Sequence, residues 1–212
     1  MELKKIVKYE VGEIQDKHFD PGEEGVLKRY KTITVTLFYE DGVQEDKEYG
    51  YVTHEEVYEQ INKGEDINLN QCYIKDFSSI KYVKMYDKKC ILKHFSAYGS
   101  FLDCETKVVF NNAQFDEGDV DFRGAQFGDG VVSFHNARFG KGDLYFSYAQ
   151  FGEGNVNFND AQFGKAYLVF DNAQFGEGNE NFIFAQFDKV DLEKEFYIFI
   201  VHDLFCERIC KF

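Results

Sequence analysis

No tryptophan occurs in the chain, and there is a single proline, Pro21. Against these gaps stand 24 phenylalanines, 14 tyrosines and 18 glycines in 212 residues, so one large side chain is used repeatedly as core filler. No apolar run approaches the ~20 residues that a spanning helix needs, the longest being "FYIFIV" at 196–201, and no membrane association is expected. The opening stretch "MELKKIVKYEVGEI" alternates charged and apolar residues and lacks the apolar centre of a signal peptide. A soluble, cytoplasmic protein is the expectation.

Recognisable chemistry is also lacking. The five cysteines, Cys72, Cys90, Cys104, Cys206 and Cys210, form no C-x-x-C pair of the zinc or redox kind and are expected to be reduced and mostly buried. His18, His54, His94, His135 and His202 share no metal-ligand spacing, and none belongs to a nucleophile motif. No G-x-x-x-x-G-K-[ST] phosphate loop occurs. "GKGDLYF" is like a calcium-binding nonapeptide repeat, but the position of Asp143 becomes Val131, Asn155 and Tyr167 in other units, which removes the ligand set. No threonine lies between Lys107 and Asp188, which excludes the Thr ladders of an ice-binding face. The expectation is therefore no catalytic residues, no metal, no cofactor and no enzyme.

A strict internal repeat is present. Ala113, Ala125, Ala137, Ala149, Ala161, Ala173 and Ala185 fall every twelve residues, as do Phe115 to Phe187 and a second series from Phe110 to Phe182. Two residues before that second series sit Val108, Val120, Val132, Leu144, Val156 and Leu168, and then Glu180. The unit is V-x-F-x-x-A-x-F-G-x-G-x, in which V-x-F and A-x-F each point two side chains to one face of a short strand. The two-residue link "ND" before Ala161 predicts a tight corner, and the G-x-G-x link a wider one with glycine at positive φ.

A coil of twelve residues would hold its two strands only ~5 to 6 Å apart, too close to enclose phenylalanine, whereas facing sheets stand ~10 Å apart. Four strands and 24 residues per coil leave room for four phenylalanines. Outward residues repeat accordingly, Asn155 with Asn179 and Asn157 with Asn181. Corner charges point the other way: Asp129, Lys141, Glu153, Lys165, Glu177 and Lys189 alternate in sign every twelve residues and would pair in the thinner coil. Steric room decides for 24 residues, with Phe127, Phe151 and Phe175 one above another as a core stack.

Upstream, Leu69, Cys72 and Ile74 keep the corner-and-strand spacing, so the solenoid starts near residue 65. Before it, "TITVTLFYEDGVQEDKEYGYV" predicts a hairpin turning at Asp41-Gly42. Thr53 and Glu56 form a capping box, Val52 and Val57 a hydrophobic staple, and Gly64 a helix stop. The chain thus divides into a small α/β cap at 1–64, an all-β solenoid at 65–188 and a C-terminal segment at 189–212.

The tandem A-x-F units, with five residues from Phe110 to Phe115 and from Phe122 to Phe127, resemble the pentapeptide-repeat proteins over residues 65–188. The steps here alternate five and seven, where the commonest family pattern is an unbroken five. The resemblance implies a right-handed quadrilateral β-helix. It also implies two possible uses, since some members are DNA mimics that occupy type II topoisomerases such as DNA gyrase, and members dimerise through their ends.

The net charge of −14 is spread as −6 over 1–64, +1 over 65–107, −8 over 108–188 and −1 over the tail. The regular repeats would carry one net charge per ~2 Å of axis, close to duplex DNA, so direct nucleic-acid binding is not expected. The leading expectation is a non-catalytic scaffold that binds an unknown protein partner through an exposed aromatic patch of Tyr145, Tyr148 and Tyr167. The alternative is an acidic DNA mimic acting through Asp119, Asp121, Asp129 and Glu153. Phe196, Ile198, Phe199, Ile200, Val201, Leu204 and Phe205 give the C-terminal segment more apolar surface than a tail needs. It is expected to cap the solenoid within one chain or to join two chains as a homodimer.

Overall fold

A computed structural model of the protein describes residues 4–103, 107–116, 118–164 and 167–187. The C-terminal segment 189–212, and with it Cys206 and Cys210, lies outside the described residues, as does Cys104.

The structure is mostly β. Strands of two to four residues stack into parallel ladders, and an N-terminal mixed sheet with two helices adjoins them. Successive coils meet at 24 residues: Val120 pairs with Leu144 and Leu144 with Leu168, while Phe115 pairs with Phe139 and Phe139 with Phe163. In each regular coil the chain visits four sheets in turn. Sheet I runs through Ile67, Phe95, Val120, Leu144 and Leu168. Sheet II runs through Tyr73, Phe101 and Gln126 and continues as single bridges at Gln150 and Gln174. Sheet III runs through Val108, Val132, Val156 and Glu180, and sheet IV through Leu92, Phe115, Phe139, Phe163 and Phe187.

V-x-F and A-x-F place alternate side chains inward, so each sheet contributes a column of rings. Phe127, Phe151 and Phe175 lie one above another at 4.7 and 4.8 Å with planes 2–3° apart. Phe110, Phe134, Phe158 and Phe182 form a second column at 4.8–4.9 Å. Parallel rings at this spacing follow the strand repeat, because each phenylalanine is hydrogen-bonded into register with the one a coil away.

The corners differ from the sequence expectation. Positive φ falls on the tight corners, at Asn112, Gly124, Asn136, Tyr148, Asp160, Asn172 and Phe184, where Asn, Asp and Gly tolerate the left-handed region best. Of the wide-corner glycines only Gly118 has positive φ. From Gly140 to Gly178 the wide-corner glycines allow a close approach instead: a Cβ on Gly154 would lie 2.3 Å from the Gly130 carbonyl oxygen, and one on Gly178 2.2 Å from that of Gly154. Among the described residues the alternating corner charges do not pair with one another either, since the 24-residue register puts Asp129, Glu153 and Glu177 in one column. Glu153 instead meets Lys5 at 3.7 Å and accepts the Glu177 amide at 2.8 Å.

The N-terminal hairpin forms as expected, β2 (Thr32–Tyr39) and β3 (Gln44–Tyr51) turning at Gly42, and β1 (Ile6–Val11) adds to β2. Through β3 this sheet pairs in parallel with Cys72–Lys75 and so continues sheet II. It also folds back over the outside of sheet II, where Ile33, Val35, Leu37 and Tyr49 form a second core with the outward Tyr73 and Phe101. The Tyr9 hydroxyl donates to Asp103 at 2.8 Å, Tyr73 donates to the same buried carboxylate, and Tyr49 donates to Gln126 at 2.8 Å.

Helix α1 (His54–Lys63) has the capping box of Thr53 and Glu56 and ends at Gly64 with φ 71°. Its Val57, Tyr58 and Ile61 belong to the same buried cluster as the first coil, so it closes the N-terminal end of the ring columns. Helix α2 (Ser79–Tyr86), which the repeat pattern did not announce, is capped by Ser78 and stands where the first coil would have its sheet III strand. Phe77 continues the Phe110 column at 4.8 Å and meets Tyr58 of α1 at 5.8 Å.

Cys72 and Cys90 are buried free thiols, and burial pushes both up, Cys90 to about 12. Native treatment with a thiol reagent is expected to leave both unmodified, with labelling only after denaturation, as read by peptide mass mapping. Modification of either at a free-thiol rate would contradict this packing.

Candidate interaction face

Sheet I and its two bordering corners gather most of the sequence-predicted residues. Tyr145 points outward from the sheet, Tyr148 stands in the corner toward sheet II, and Tyr167 stands in the corner toward sheet IV. Tyr148 and Tyr167 are 49% and 46% exposed. Asp121 points outward one coil before Tyr145, and Asp119 lies one coil before Asp143 in the corner that holds Tyr167.

These side chains form ladders of their own. Asp119 accepts the Asp143 amide and Asp143 accepts the Tyr167 amide, each at 2.8 Å, so corner carboxylates satisfy outward N–H groups of the following coil. The other Asp143 oxygen accepts from the Tyr145 hydroxyl at 3.0 Å. Partial burial and this acceptor push Tyr145 up to about 12. Arg123 forks onto Asp121 through Nε at 2.9 Å and Nη2 at 2.6 Å, and its guanidinium lies 5.6 Å from the Tyr145 ring centre. The face therefore already seats one cation of its own between a carboxylate and an aromatic ring.

Two of the predicted acids stand elsewhere. Asp129 and Glu153 lie in the corner between sheets II and III, separated from Asp119 and Asp121 by a full sheet in either direction around the coil. The four acids are thus two groups rather than one surface. Sequence reasoning missed Tyr98, exposed beside the same sheet I corner one coil before Arg123, because it lies upstream of the regular period. It also missed the roles of Asp143, whose signal was a carboxylate two positions before an outward tyrosine, and of Arg123, whose signal was a cation two positions after an outward carboxylate.

A narrow cleft runs between β1 and the outside of sheet II, lined by Lys5, Ile6, Tyr9, Gln126, Gln150 and Gln174. Gln150 Nε2 donates across it to the Lys4 carbonyl at 3.0 Å, so the cleft is a seam of the fold. Among the described residues no group of three or more His, Cys, Asp or Glu is arranged to hold a metal, and no helix is long and apolar enough to cross a membrane. No protein-family model, curated protein or solved structure matches this chain.

Proposed function

We propose that the protein is a non-catalytic scaffold, a right-handed quadrilateral β-helix of the pentapeptide-repeat kind, that binds a protein partner through sheet I and its corners. One observation carries this reading. Tyr148 holds φ 59° at a corner position filled by Gln71, Gly99, Gly124 and Asn172 in the other coils, so it is the one aromatic ring at this corner, and that ring is half exposed. A bulky residue in the left-handed region costs ~1 to 2 kcal/mol, which packing does not return at an exposed corner. Recognition is a reason to keep it there, with Tyr145 and Tyr167 beside it and acidic groups that favour a partner rich in Lys or Arg.

Tyr148→Gly removes the ring and relieves the backbone. Thermal stability is expected to hold or rise, while a partner captured by the wild type falls away at least tenfold in affinity. Gln162→Ser, on the outside of sheet IV, is the control and keeps the partner. Equal capture by the Tyr148 variant would overturn the assignment of this face.

The second reading is DNA mimicry at a type II topoisomerase, and it draws support from the carboxylates of Asp119 and Asp143 repeating along the axis one coil apart. A gyrase supercoiling assay tests it. Inhibition at micromolar protein, lost on charge reversal at Asp119 and Asp121 but kept on reversal at Asp129 and Glu153, would favour mimicry by the same face. Absence of inhibition removes it.

A further inference from the structure

The lysines of this chain fall into two kinds. Every lysine from Lys4 to Lys31 meets a carboxylate at 2.5–3.9 Å. Residues 81–93, on α2 and the turn after it, carry five lysines and one acid, Asp87, in a chain of net charge −14. Lys81, Lys84, Lys88, Lys89 and Lys93 are all exposed, and among the described residues none of them makes an ion pair. Lys81, Lys84 and Met85 share the outer face of the helix at i, i+3 and i+4, and Met85 and Val83 are exposed as well.

Helix α2 occupies the sheet III side of the first coil. On the same side, in the third to fifth coils, the sign is reversed. Asp129, Glu153 and Glu177 form a column of exposed carboxylates in the corner toward sheet II. Among the described residues only Glu153 of the three has an ion pair, with Lys5 at 3.7 Å. In the corner toward sheet IV the fifth coil has Ile183 and Phe184, 56% and 77% exposed, where the third and fourth have His135-Asn136 and Asn159-Asp160. Phe184 holds φ 57°, a backbone region that disfavours it. Four coils part α2 from Glu177, ~19 Å along the axis and more than twice the ~8 Å Debye length, so the two charged patches of one chain do not neutralise each other.

We propose that two copies of this chain pair side by side with their axes antiparallel, sheet III against sheet III, about a two-fold axis that crosses the third coil at Val131–Ser133. This operation sets the first coil of each copy on the fifth of the other and keeps the sheet II borders of the two on one side. Lys81, in the first turn of α2, then faces the carboxylate corner, with Lys84 in reach of it, and Met85 in the last turn faces Ile183 and Phe184. Each copy supplies both halves of the contact, so the pair closes and does not grow. A parallel pair would set lysine on lysine. Sheet I lies on the opposite side of the coil and stays outward in both copies, so the dimer presents the candidate face twice, although the pairing does not rest on that face having a partner.

Light scattering and sedimentation of the full-length protein over a range of concentrations test this. The expected result is a dimer whose mass stops at two chains and whose Kd rises about tenfold or more as salt is raised. Lys81→Glu/Lys84→Glu and Glu153→Lys/Glu177→Lys should each raise the Kd by about tenfold or more. An equimolar mixture of the two variants should dimerise again, because both contacts then join opposite charges. Phe184→Asn, which restores the polar corner, should weaken the dimer without lowering the Tm of the monomer. A monomeric wild type, an assembly that grows with concentration, or a mixture of folded charge variants that stays monomeric overturns the proposal. Should a charge variant fail to fold, Phe184→Asn decides alone, and a dimer of wild-type affinity overturns the proposal.

Discussion

Phe151→Ala is expected to destabilise the protein by about 3 to 5 kcal/mol, lowering Tm by roughly 6 to 20 °C in a domain of this size. Phe151 is stacked between Phe127 and Phe175 at 4.7 and 4.8 Å and also meets Phe146 at 5.6 Å. Truncation removes one ring from a column whose neighbours are fixed by backbone pairing, so the walls cannot collapse into the space. Both the lost transfer energy and the cavity are then felt. The loss should be larger than for Phe175→Ala, whose site at the last coil is only partly buried. Denaturant unfolding of the two variants checks the order, and equal losses would mean that the column is not the unit of stability.

Gly154→Ala is expected to cost about 3 kcal/mol although it adds a single methyl group to a surface corner. The new Cβ would meet the Gly130 carbonyl oxygen at 2.3 Å and its carbon at 2.4 Å. Both are backbone atoms of the preceding coil, held by the Val132 to Val156 pairing two residues away. Relief requires the two coils to part, which disturbs the ladder on either side. Gln162→Ala, outward on sheet IV, serves as the control and should change stability by no more than ~0.5 kcal/mol. Should Gly154→Ala unfold at the wild-type denaturant concentration, the role of the wide-corner glycines given above is wrong.

The glycine result shows where legibility stopped. The sequence placed glycine in the wide corners and expected positive φ there, yet apart from Gly118 the left-handed residues of the regular coils are Asn112, Gly124, Asn136, Tyr148, Asp160, Asn172 and Phe184 in the tight corners. Composition within a corner marks that something special is needed. It does not separate a left-handed backbone from a close approach, because glycine satisfies both. The candidate face was legible only in part. Tyr145, Tyr148 and Tyr167 stood out as outward aromatics, but their union with Asp119, Asp121 and Arg123, and the removal of Asp129 and Glu153 to another corner, depended on the path of the coil.

By itself the sequence determined the twelve-residue period, the inward Val, Phe, Ala and Phe, the hairpin at Gly42 and the capped helix α1. Each of these rests on a window of a few residues, where alternation, capping geometry and turn chemistry act locally. Only the tertiary structure decided that corner charges stack like on like, that α2 replaces a strand in the first coil, and that the N-terminal sheet folds back onto sheet II through Tyr9, Tyr73 and Asp103. The reason is physical: these outcomes depend on contacts between residues 24 or more positions apart. A period of twelve divides 24 evenly, so the pattern alone is satisfied by either coil, and backbone pairing and the volume of a phenylalanine ring choose between them.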